Sequence, residues 1–119
     1  MEQVLDMAVV EELLALSDDG DPELLLDLIQ LFLADGPAKI ESALQGLVEH
    51  DFDKMERAAH ALKGSSGNLG ARRLQEICER IQLATRKRDY ASSKQLVPLM
   101  QQQFAEVQQA LTTVRQRYQ

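Results

Sequence analysis

The chain has no tryptophan, a single cysteine, three prolines and only 4% aromatic residues among its 119 positions. One cysteine, Cys78, excludes a disulfide framework and a thiolate metal cage, and it fits a reduced compartment. No apolar run reaches the roughly 18 residues a membrane span requires, and no signal peptide opens the chain. A soluble, cytoplasmic protein is expected. Runs of Val, Ile, Thr and aromatics alternating at period two are absent, so strands are not expected. Positive charge is also scarce: 13 Lys and Arg against 19 Asp and Glu leave a formal charge of −6. A nucleic-acid binder needs a basic surface to displace counterions, and that class is set aside. The one basic cluster, Arg86-Lys87-Arg88, reads as cations at a helix C-terminus, where the helix dipole favours them.

What remains is rich in Leu, Ala, Glu, Gln and Lys, all good helix formers. The length suits one domain, 1–119. Val9, Leu13 and Leu16 share one face of a first short helix from Asp6 to Leu16. Ser17-Asp18-Asp19-Gly20 interrupts it. Asp21-Pro22-Glu23 reads as a restart, with Asp21 as N-cap and Pro22 in the first helical position. The next helix, Leu24 to Leu33, is apolar on nearly every side, so cover from two directions is expected, with the first helix as a lid. Gly36-Pro37 reads as a break before a third helix carrying Ile40, Ala43, Leu44, Leu47 and Val48. Asp51 is a candidate N-cap for a helix packing through Phe52, Met55, Ala59 and Leu62 and stopping at Gly70. A helix from about Ala71 buries Leu74, Ile77, Ile81 and Ala84, with Cys78 at the stripe's edge as an inert small hydrophobe. Asp89 links it to a last helix carrying Met100, Phe104, Val107, Leu111 and Val114. Pro98 should kink that helix or mark a late start. Short links between amphipathic helices imply an all-α, antiparallel up-down four-helix bundle with a short N-terminal capping helix.

The most informative segment is Ala58-Ala59-His60-Ala61-Leu62-Lys63-Gly64-Ser65-Ser66-Gly67. At about 100° per residue, His60 lies roughly 130° from the centre of the core face and points to water. Lys63, Gly64 and Gly67 follow on the same flank. Each glycine weakens a helix interior by roughly 1 kcal/mol relative to alanine. A local rule broken without packing gain tends to mark function. Here the use is access: bare backbone at Gly64 and Gly67 clears room for another protein to reach the imidazole. Lys63 brings a cation for an anionic group. Other chemistries lack support. Glu56 and His60 are four apart and no second such pair exists, whereas a di-iron bundle needs repeated Glu-x-x-His motifs pointing inward. Ser65 and Ser66 have no aspartate–histidine partners for a triad. His50 precedes a helix N-cap and reads as structural or solvent-facing. No phosphate-binding glycine loop is present, so neither an ATP site nor self-phosphorylation is expected.

Ala59-His60-Ala61-Leu62-Lys63-Gly64-Ser65-Ser66 followed by Asn68-Leu69-Gly70-Ala71 resembles the histidine-containing phosphotransfer (HPt) domains of bacterial phosphorelays. The resemblance runs from Asp21-Pro22-Glu23-Leu24-Leu25 and Leu31-Phe32-Leu33 through the last helix. It implies that His60 is phosphorylated on its outward nitrogen, that Lys63 neutralises the phosphate and that Gly64 admits a receiver domain. Gln82 matches a position from which family members hydrogen-bond the histidine or its phosphate. The implied partners are receiver domains of a hybrid histidine kinase and of a response regulator, with Mg²⁺ on the receiver and no cofactor in this chain. A monomer is expected, because the His60 face must stay open. The Met1 start and the end just past the last helix suggest a free-standing protein. Two other readings are a non-catalytic interaction module and the histidine-bearing domain of a chemotaxis-type kinase.

Overall fold

The structure is a computed structural model and describes residues 3–17 and 20–119. The described residues form five helices and no strand: α1 (Met7–Ala15), α2 (Glu23–Glu49), α3 (Phe52–Asn68), α4 (Arg72–Arg86) and α5 (Tyr90–Tyr118). Each of α2 to α5 packs against two neighbours, α2 on α3, α3 on α4, α4 on α5 and α5 back on α2. That closed ring is the antiparallel four-helix bundle expected from the sequence. Asp18 and Asp19, in the expected interruption after α1, lie outside the described residues.

Two of the anticipated helices are one. α2 runs for 27 residues straight through Gly36-Pro37. A proline inside a helix removes one hydrogen bond and costs about 3 kcal/mol. Packing of Leu25, Ile29, Phe32, Ile40 and Ala43, all buried, outweighs that cost. Gly36 is there for another reason than a turn. The Phe104 ring of α5 presses on its bare backbone, where a Cβ would fall inside contact distance. That ring also stacks on Phe32, centroids 5.2 Å apart. Pro98 likewise lies inside α5 and does not delay it: α5 starts at Tyr90, capped by Asp89, whose carboxylate accepts from Ser92 N–H at 3.0 Å.

Periodicity misplaced a few side chains. Val48, assigned to an apolar stripe, is 81% exposed because it sits in the last turn of α2. In α1 the buried residue is Val10, while Leu16 lies beyond the helix and is exposed. Cys78 is fully inside rather than at an edge, and burial pushes its thiol pKa up to about 12. Asp21 caps α2 from one residue further out than expected, accepting from Glu23 N–H at 3.0 Å, with Pro22 as the boundary residue.

Helices α2 and α5 are each about 40 Å long, whereas α3 and α4 are about 25 Å, so the short hairpin leaves a shelf at one end. α1 is the lid on that shelf. Asp6 N–H donates to Gly70 O at 2.8 Å, and the Asp6 carboxylate accepts from Arg72 Nε at 2.8 Å. Gly70 itself has φ +78°, and a Cβ there would lie 2.8 Å from Asp6 O. The turn between α3 and α4 therefore needs glycine for both conformation and space. The lid covers α2 incompletely, since Leu31 stays 58% exposed. At the opposite end, His50 (φ 56°) stacks on Tyr90 with centroids 3.8 Å apart, and Tyr90 Oη donates to Leu47 O at 2.8 Å. This ties the α2–α3 turn to the start of α5, a structural role for His50.

Gly36→Ala should destabilise the fold by about 1–3 kcal/mol through overpacking against Phe104, measured by urea unfolding. Acid should weaken two helix starts. The Asp89 carboxyl is held below its ordinary value of 3.8 by hydrogen bonds from Ser92, and Asp6 by its bond from Arg72 and then that from Ala8. A lowered folded-state pKa gives stability that is complete above the ordinary value and lost as pH falls through the folded one. Asp89→Asn keeps a capping oxygen without a titrating proton. Its melting temperature should therefore fall less steeply than the parent's below about pH 4.

Candidate functional site

α3 is held by Met55, Ala58, Ala59 and Leu62, all buried, and this rotation leaves His60 exposed on the far flank. Beside it runs the seam with α4. Because the two helices are antiparallel, residues climbing α3 meet residues descending α4. Arg88 lies 3.2 Å from Asp53, Arg86 2.9 Å from Glu56, Gln82 3.1 Å from His60 and Lys63 3.7 Å from Glu79. The last rung puts the Gln75 side chain over Gly67. His60 thus occupies the middle rung of a polar ladder.

The histidine is held by one ring nitrogen. Gln82 is only 4% exposed, and its Nε2 approaches His60 Nδ1, turning Nε2 of the imidazole outward. Two amide orientations suit these positions. With the amide nitrogen facing the ring, Nδ1 accepts and the outward nitrogen carries the proton. With the amide oxygen there, Nδ1–H donates and the outward nitrogen keeps its lone pair. The Gln82 amide can therefore select the tautomer that is nucleophilic toward solvent.

The remaining residues singled out in the sequence divide sharply. Lys63 is half-buried along the seam, and its ammonium at 3.7 Å from Glu79 is loosely paired. Gly64 faces open space: a Cβ there would meet nothing within 4 Å. Gly67 does not provide access. It lies toward α4, and a Cβ there would meet Gln75 Nε2 at 2.6 Å, so its missing side chain accommodates a seam residue. A helical wheel puts Gly64 and Gly67 on one flank and cannot tell which side α4 occupies. Ser65 Oγ donates back to Ala61 O at 3.3 Å, and Ser66 is fully buried. Neither is placed as a nucleophile. Among the described residues, no group of three or more His, Cys, Asp or Glu is arranged to hold a metal ion.

Two side chains at the site were missed. Arg86, taken as a helix-end cation, and Glu56 together line an open depression of about 460 Å³ with Asp53, Arg57, His60 and Gln82. The signal was available in the spacing, since Glu56 is four before His60 and Arg86 four after Gln82. On the other flank of α3, Ala61, Leu62 and Ser65 border a smaller apolar groove of about 200 Å³ against Leu28, Phe32 and Gly36 of α2. Among the described residues, no helix is long and apolar enough to cross a membrane.

Known proteins resemble this chain in sequence and in fold. Residues 27–117 match the model of the Hpt domain family. The multistep phosphorelay regulator 1 of Schizosaccharomyces pombe is 31% identical over 80 residues, covering 67% of this chain and 27% of the relative. The phosphorelay intermediate protein YPD1 of Saccharomyces cerevisiae is 30% identical over 91 residues, covering 74% of this chain and 53% of that one. The chain thus spans between about a quarter and about half of the length of these relatives. Among solved structures, histidine-containing phosphotransfer protein B of Pseudomonas aeruginosa superposes over 100% of both chains with a TM-score of 0.88 and 27% identity. A histidine-containing phosphotransfer protein from maize shares the fold, with a TM-score of 0.81 over 98% of this chain and 88% of that one, at 23% identity. A four-helix ring with an exposed histidine, matched by the family model over most of its length, places this chain in the Hpt domain family.

Proposed function

We propose that this chain is a phosphorelay intermediate that takes a phosphoryl group from a receiver-domain aspartate onto His60 and passes it to the aspartate of another receiver. The observation that carries the reading is the tethered, outward-facing imidazole: Nδ1 is occupied by Gln82 and the exposed nitrogen is free to react. In the reactive tautomer Nδ1–H donates a hydrogen bond to Gln82 Oε1. The Nε2 lone pair attacks phosphorus in line, the N–P bond forms, and the P–O bond to the partner's aspartate breaks, leaving that aspartate as a carboxylate. Nδ1 keeps its proton, so the phosphoimidazole is cationic on its ring and well matched to the anionic group it holds. Return of the group to a second aspartate is the reverse step.

The transition state is loose, with charge spread over the phosphoryl oxygens, so positioning and charge stabilisation carry most of the catalysis. Lys63, one turn beyond His60 on the same helix, is the cation assigned to that task. Its loose contact with Glu79 leaves it able to turn toward a stronger acceptor. Gly64 keeps the surface beside His60 flat enough for a receiver's active-site loops to reach Nε2. The Mg²⁺ and its carboxylate ligands belong to the receiver. The partners in this reading are the receiver domains of a hybrid histidine kinase and of a response regulator. The chain acts as a cytoplasmic monomer, so that one face serves both partners in turn.

Incubation with a phosphorylated receiver should move the label to this chain as an acid-labile, base-stable adduct, and His60→Gln should abolish it. Transfer that survives that substitution would overturn the reading. Gly64→Gln adds bulk in open space. It should fold as the parent does and slow transfer by at least tenfold in stopped-flow or gel-based assays, because a displacement of even 1 Å can cost about 10²-fold. Gly67→Ala has to displace only the tip of the Gln75 side chain and should transfer within about threefold of the parent.

A further inference from the structure

Nothing in the transfer just described uses the Glu56–Arg86 ion pair, although it forms the rung next to His60 and Gln82. Arg86 Nε sits 2.9 Å from Glu56 Oε1. Each member is one helical turn from its neighbour in the reactive pair, a separation of about 5–6 Å between Cβ atoms. Both side chains line the depression that His60 opens onto. The Arg86 side chain is 59% exposed, so its guanidinium can swing along the groove with little to displace.

Phosphorylation changes the charges at this rung. A phosphoryl group brings nearly two negative charges and three strong acceptor oxygens. A guanidinium binds phosphate oxygens through paired, charge-assisted hydrogen bonds, which are stronger than a single contact to an exposed carboxylate. At the same moment the Glu56 carboxylate becomes a like charge on the same flank of α3. Both changes favour an exchange of partners.

We infer that Arg86 is held by Glu56 while His60 is bare and transfers to the phosphoryl oxygens once His60 is phosphorylated. In this arrangement Arg86 is a phosphate-contacting residue and Glu56 a positioning residue. By competing for the arginine and repelling the phosphoryl group, Glu56 keeps the phosphohistidine from becoming too stable to pass on. The inference rests on the phosphocarrier reading above. In unassisted hydrolysis, with no receiver present, the phosphoryl oxygens give up negative charge to the departing imidazole in a loose, metaphosphate-like transition state. A cation held on them therefore favours the phosphohistidine, and the pair sets its lifetime.

The test uses the full chain phosphorylated with phosphoramidate, so that no receiver is needed, and follows the phosphohistidine by ³¹P NMR. Glu56→Gln should lengthen its half-life and Arg86→Gln should shorten it, each by roughly two- to fivefold, the range of exposed ion pairs. The Arg86 Nε–H resonance of the parent should move on phosphorylation. Arg80→Gln removes another exposed pair, with Glu76, and should leave the half-life unchanged. Half-lives of both rung variants that coincide with the parent's overturn the inference, whatever the resonance does. So does a shortened half-life in Arg57→Gln with none in Arg86→Gln, which would assign the phosphate to the other arginine that lines the depression. Failure of phosphoramidate to label His60 at all is a separate result and overturns the phosphocarrier reading itself.

Discussion

Along the α3–α4 seam, residues three and four apart on one helix meet residues three and four apart on the other, running in opposite directions. That alternation is the helical repeat meeting itself across an antiparallel interface, and it leaves no freedom to shift one residue without breaking every rung. Gln82 reaches His60 in the same register in which Glu56 meets Arg86 on one side and Lys63 approaches Glu79 on the other. The register is set at both ends of the hairpin. At one end Gly70 folds the chain back under the lid, with Ser66 O accepting from both Leu69 and Ala71 N–H. At the other, Arg88 pairs with Asp53 and lies over the Phe52 ring at 5.4 Å.

The individual surface pairs contribute little energy, each about 0–1 kcal/mol. Their value is directional. The apolar side of the same helices supplies the stability, through Met55, Leu62, Leu74, Ile77 and Ile81. The polar ladder adds to the packing that fixes the rotation, and with it the face on which the imidazole emerges. A reactive group on a helix is also more rigidly aimed than one on a loop, which suits the carrier role proposed for His60. The long α2 and α5 provide the frame. Their aromatic contact at Phe32, Gly36 and Phe104 is so close that glycine is the only residue the α2 position admits without repacking.

Most of the architecture is legible in the sequence. Amphipathic periodicity and capping residues located α1, α3 and α4 within a residue or two, because those signals are local, whereas Pro98 left the start of α5 open. The boundary at Gly36-Pro37 was not readable, since the same dipeptide marks a turn when exposed and is carried through a helix when long-range packing demands it. Likewise Val48 and Val9 fall on a plausible stripe, yet their burial depends on where a helix ends and what lies across from it. Gly64 and Gly67 show the same limit within the site. Both lack side chains on the His60 flank, but one faces open space and the other an α4 glutamine.

The sequence by itself determined that the chain is helical, that His60 faces away from the core, and that a lysine and a bare glycine follow it. Each of these depends on dihedral preference and a 3.6-residue period, which act between near neighbours. The tertiary structure decided which nitrogen of His60 is held and by whom, which glycine is open, and that Glu56 and Arg86 share the depression. Those are matters of how one helix is rotated against another. Across the α3–α4 seam such a rotation is fixed by the sum of many weak contacts between residues far apart in the chain, as with Asp53 and Arg88, 35 apart.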